Sequence, residues 1–137
     1  MGLYLCVFSG EEELEGVEVG SYADFANCRD TICTLLEEAR RGSRFPTLML
    51  HADSDGTWTS SEARKLRVEL DAISEELRAH PARQYQSGWQ RQVARSLGIS
   101  PQCLADSFFD VDGEPLLGRL LQLCAVAIER DLPILFQ

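Results

Sequence analysis

Between His51 and Glu62 the chain reads HADSDGTWTSSE, a histidine followed by carboxylates at the intervals of a ligand loop. Counted from His51 as position one, Asp53, Asp55, Gly56 and Glu62 fall at positions three, five, six and twelve. Those are oxygen-ligand and glycine positions of an EF-hand calcium loop. Position one, however, is an imidazole, a poor ligand for a hard cation that wants oxygen. The string is also entered from the apolar run FPTLML, which reads as a strand and not as the helix such a loop requires. A simpler reading uses the same letters. Asp55-Gly56 supplies a turn with positive φ at the glycine, and Thr59 with Glu62 forms a T-x-x-E capping box that opens a helix. The sequence therefore calls for no metal and no cofactor. His51 beside Asp53 and Asp55 could instead be a general base with a carboxylate to orient it, activating Cys6 or a serine as nucleophile. No G-x-S-x-G, P-loop, G-x-G-x-x-G or H-E-x-x-H accompanies them. A non-enzymatic protein is the preferred reading, and a small metal-dependent or hydrolytic enzyme centred on His51, Asp53 and Asp55 is the alternative.

A second acidic string, Asp110-Val111-Asp112-Gly113-Glu114, repeats the D-x-D-G pattern ahead of Pro115. In calcium-loop register its first position would be Phe108 and its twelfth Arg119, so it cannot hold calcium. The chain thus uses D-x-D-G as a way into helices, with acidic groups near their N-termini. If the two turns adjoin in space, Asp53, Asp55, Asp110, Asp112 and Glu114 form one acidic patch for a partner, with Trp58 as its aromatic anchor.

Around these strings, 137 residues make one domain, 1–137, and 45% hydrophobic content suffices for a core. A net charge of −9 argues against nucleic acid and anionic membrane as partners, since both demand a basic footprint. It suits a basic protein partner, although acidity for solubility explains it as simply. The start, MGLYLCVFSGEEE, lacks the basic and long apolar regions of a signal peptide. No run reaches the ~18 apolar residues of a membrane span. Five cysteines without a C-x-x-C pair read as reduced thiols of a cytoplasmic protein. Residues 91–109, RQVARSLGISPQCLADSFF, imitate a helix-turn-helix, but the would-be recognition helix Pro101–Ser107 has no Arg or Lys and carries Asp106. Groove readout needs donors there, so this is two helices packed at a tight turn.

Helices and strands follow from periodicity. Leu3–Phe8 and Leu14–Val19 pair as a hairpin, the second strand an edge guarded by glutamates. Ser21 with Asp24 caps a first helix carrying Phe25, Cys28, Ile32, Leu35, Leu36 and Ala39, closed near Arg40, Arg41 and Gly42. Thr47–Leu50 reads as a doubly buried strand. A helix with Leu66, Leu70, Ile73 and Leu77 runs to Pro81. Ser87 and Gln90 cap another, with Trp89, Val93 and Leu97 inward and Gly98 as its stop. Pro101–Ser107 forms a short helix, Pro115 to about Arg130 a long apolar one, and Pro133–Phe136 a last strand. The sum is an α/β fold (α+β possible), a small mixed sheet of about four strands with four to five helices.

The segments MGLYLCVF, VEVGSYADF, GSRFPTLMLHADSDGTW, SGWQRQVARSLGIS, DVDGEPLLGRLLQLC and LPILFQ give the chain, over almost its full length, a resemblance to immunity protein 70 of the bacterial polymorphic toxin systems. The resemblance implies a cytoplasmic protein encoded beside a toxin, which it neutralises by binding. The partner it implies is a cognate toxin domain, and a basic one, a nuclease for instance, would fit the charge. The resemblance supplies no contact residues, so the site remains the acidic turns with Trp58.

Overall fold

The computed structural model describes every residue except Met1, Ser54, Gln84 and Gln86. Strands β1 (Gly2–Ser9) and β2 (Glu12–Ser21) form the hairpin, turning at Gly10 with φ 63°. Leu3, Leu5 and Val7 alternate into the core beside Val17 and Val19. Strands β3 (Thr57–Trp58) and β4 (Ile134–Phe136) complete a sheet of order β2-β1-β4-β3. Every pairing is antiparallel, so the sheet is not mixed in direction. The two short strands hold through burial of Trp58, Ile134 and Phe136, each such side chain contributing about 1.5–3 kcal/mol.

Helix α1 (Tyr22–Leu36) starts where the sequence requires, with the Ser21 side chain on the Asp24 amide and the Asp24 carboxylate on the Ser21 amide. It stops short of Arg40, Arg41 and Gly42. Glu38 and Ala39 adopt φ of 53° and 63°, and the buried Glu37 carboxylate gathers the amides of Gly42, Arg44 and Phe45. Burial would push Glu37 up, but the bonds from Phe45, Arg44 and Gly42 outweigh it and hold its carboxyl below the usual range.

The expected strand at Thr47–Leu50 is instead a single helical turn, α2 (Pro46–Met49). Pro46 at its first position favours a helical start, and two charged side chains from distant helices hold its ends. Glu69 accepts from the amides of Thr47 and Leu48, while Arg29 donates to the carbonyls of Leu48 and His51. Backbone groups that a strand would have paired sideways are thus satisfied end-on.

Helix α3 (Ser60–Leu77) opens on the Thr59–Glu62 capping box and buries Leu66, Leu70, Ile73 and Leu77. Helix α4 is Gly88–Leu97, and α5, Leu116–Arg130, follows Pro115 as its cap. The second half of the apparent helix-turn-helix is only a four-residue 3₁₀ turn, Leu104–Ser107. Helices α1 and α5 pack on the sheet and α3 packs on α5 around one continuous core.

Candidate functional site

The first acidic turn encloses an aromatic cluster. The His51 ring stacks on Phe136 at 4.1 Å and tilts against Trp58 at 5.1 Å. Its Nδ1 lies 2.7 Å from the Ala52 carbonyl and its Nε2 2.9 Å from that of Thr57. A backbone carbonyl oxygen faces each ring nitrogen. The Glu62 carboxylate accepts from the Thr59 amide at 3.1 Å, so the twelfth loop position is spent on the helix cap. Trp58, expected as an exposed anchor, is only 1% exposed. Its indole N–H donates to the Thr47 carbonyl at 3.0 Å. It cannot serve as a surface contact, because the β3–β4 pairing turns it into the core. Asp53 and Asp55 are exposed. Among the described residues no three His, Cys, Asp or Glu side chains converge as a metal site.

In the second turn, Asp110 is likewise interior, at 1% exposure. Its Oδ1 accepts from the amides of Asp112 and Glu114, each at 2.9 Å. Its Oδ2 lies 3.4 Å from Arg119 Nε, an ion pair too poorly aligned to be a hydrogen bond. Arg119 also pairs with Glu15 at 3.3 Å and donates to the Gly16 carbonyl. Asp110 therefore organises its loop from a buried position, whereas Asp112 and Glu114 are exposed.

The two turns do not merge into one patch. Gly56 accepts from the Phe136 amide, at the β3–β4 side of the sheet, while the Val111 amide donates to Glu18 on β2 at 2.9 Å. β2 and β3 are opposite edges of the sheet, and three strand spacings separate them by about 14 Å.

Pattern reading took the glutamates of β2 only as guards of a sheet edge and did not join them to Asp112 and Glu114. Glu11, Glu12, Glu13 and Glu18 are exposed there, with Asp112 and Glu114 alongside. Among the described residues the cation bonded there is Arg119, already tied to Glu15 and Asp110. Next to this strand lies an apolar groove of about 480 Å³ lined by Leu3, Tyr4, Glu18, Trp89, Val93 and Val111. Trp89, Val93 and Val111 also line its extension to Leu97. Leu97, expected inward, is 60% exposed, because α4 seats itself by burying Gln90 and Ala94. Spacing revealed an apolar stripe on this helix but not which flank meets the core. Asp24 fixes α4 in place, accepting from the Ser87 hydroxyl and, at 2.9 Å, from the Trp89 indole. Burial would raise the Asp24 carboxyl. The bonds from Ser87, Ser21 and Trp89 hold it below its ordinary value instead.

These features describe an α/β domain with an acidic sheet edge beside an apolar groove. Residues 3–136 match the family described as immunity protein 70, and the chain belongs to that family, as the resemblance implies. Membership supports an immunity role. No curated protein and no solved structure matches the chain. No described helix is long and apolar enough to cross a membrane.

Proposed function

We propose that this chain protects its own cell by binding a cognate toxin domain in the cytoplasm and blocking it, without catalysing any reaction. The observation that carries the reading is the family match across residues 3–136. The charge distribution supports a basic toxin. Asp112, Glu114 and the glutamates of β2 present carboxylates on one side of a chain whose net charge is −9. Such a surface speeds encounter with a basic partner and can occupy a phosphate-binding cleft, as in a nuclease. Asp53 and Asp55 at the far edge belong to the same acidic surface only if the footprint spans the sheet. The test is co-expression with the C-terminal domain encoded by the upstream neighbouring gene, scored by survival and co-purification. Rescue with a stable complex is the expected result. Rescue with no complex would mean that damage is reversed enzymatically, and absence of rescue would remove the immunity reading.

A further inference from the structure

Among the described residues, none covers the groove beside β2. Its floor comes from Leu3 and Tyr4, and its wall from Trp89, Val93 and Val111. Leu97 and Val111 remain 60% and 38% exposed, two of the few large apolar side chains the chain leaves in water. An exposed apolar trough on an otherwise acidic surface marks a contact site. The rim decides what fits. Glu18 lines the groove, Tyr4 donates its hydroxyl to Glu13, and Asp112 follows the wall residue Val111. From Glu12 to Glu18 the carboxylates of β2 extend about 20 Å along the strand. Arg91 and Arg95 of α4 lie on the helical face turned away from Trp89 and Val93, at 100° per residue.

We propose that this groove is the docking site for the toxin domain, taking an apolar side chain of the toxin that is flanked by Lys or Arg. The inference rests on the immunity reading and locates its contact surface. The apolar side chain supplies the desolvated centre of the interface, and the carboxylate rim pairs the flanking cations. A second copy of this chain is the poorer occupant, since it would bring a further −9 charge against the same rim.

The test uses the full chain and the toxin domain encoded beside it. Affinity is measured for Leu97→Ser, Val111→Ser, Glu18→Lys and, at the far edge, the Asp53→Asn/Asp55→Asn pair. These side chains are exposed, and melting curves verify that each variant is folded. We expect each groove or rim change to weaken binding about tenfold or more, the loss expected of a central contact, with the far-edge pair within about twofold of wild type. Glu18→Lys should also lower the salt dependence of association, while Leu97→Ser should not. Tight binding unaltered by all groove and rim variants would overturn the groove while leaving the immunity reading intact. Self-association abolished by Leu97→Ser would give the groove to a second copy and likewise overturn the proposal. Failure of the wild-type chain to bind the toxin would remove both together.

Discussion

The two D-x-D-G turns share letters and differ in what the fold does with them. In the turn at residues 53–56 the carboxylates stay in water, and the work is done by His51, whose ring packs under the loop on Phe136 and Trp58. In the turn at residues 110–113 the first aspartate is taken inside, its carboxylate serving as a hub for two amides and Arg119. An acidic string is therefore not yet an acidic surface. What decides is whether a cation and unsatisfied backbone donors lie within reach of the carboxylate when the chain folds. Arg119, from α5, meets Asp110, whereas Asp53 has no counterpart among its described hydrogen bonds or ion pairs. Glu37, Glu69 and Asp24 are further acids recruited as internal scaffolding.

The sharpest way to break this comparison is to remove the two aspartates separately. Asp110→Ala strips the amides of Asp112 and Glu114 of their acceptor and leaves Arg119 short of a partner. The expected loss is about 2–4 kcal/mol, the range for deleting one member of a buried charged network. Asp53→Ala should stay within about 0.5 kcal/mol, as for an exposed side chain without special partners. Urea midpoints measure both. Equal effects would mean that the interior hub is no more structural than the solvated turn.

Acid titration extends the comparison to the other interior carboxylates. Asp24 and Glu37 are both held below their ordinary values of 3.8 and 4.5. A folded pKa below the unfolded one gives stability that is fully present above the unfolded value. That stability disappears as pH falls through the lower folded value. Unfolding free energy should therefore drop as the pH is lowered from about 4.5 downward, and Glu37→Gln should flatten that slope while weakening the fold at neutral pH. An unchanged slope in Glu37→Gln would remove this carboxylate from the account.

These particular residues also show how far sequence carried the structure. The hairpin, the capping boxes at Ser21/Asp24 and Thr59/Glu62, the apolar faces of α3 and α5 and the last strand are legible because each depends on residues a few positions apart. The turn α2 was not, because Glu69 and Arg29 hold its ends from twenty or so positions away in the chain, and a run such as FPTLM is equally apolar in a strand. For the same reason the sequence exposed Trp58 and Asp110. Their burial is set by Phe136 and Arg119, which only the fold brings to them. The groove was hidden by a symmetry of the helical pattern, in which Trp89, Val93 and Leu97 are as good a core face as Gln90 and Ala94 are a poor one.

A smaller effect separates the glycines of the two turns. Gly56 and Gly113 have φ of 90° and 84°, so alanine at either meets the left-handed penalty of about 1–2 kcal/mol. A Cβ at Gly56 would rest in ordinary contact on the His51 ring at 3.5 Å, whereas at Gly113 it would clash with Leu97 Cδ1. Leu97 is exposed enough to swing aside, so the stability difference should be under about 1 kcal/mol. Its displacement, however, should disturb the groove. Gly113→Ala is therefore expected to weaken toxin binding while Gly56→Ala does not, which a pair of melting curves and binding isotherms would separate.

The smallest effect is expected from calcium. The spacing of Asp53, Asp55, Gly56 and Glu62 matches a calcium loop. In the fold, Glu62 is engaged by the Thr59 amide and His51 by two carbonyls. Binding would have to break the cap of α3, a loss of about 1 kcal/mol, and gather two solvated aspartates without the bidentate glutamate such loops use. Millimolar calcium or a chelator should leave the melting temperature within about 1 °C, since a ligand raises stability only in proportion to its binding to the native state. A rise of several degrees, abolished by Asp53→Asn, would show that the first turn, and not the second, is the one the chain uses for chemistry.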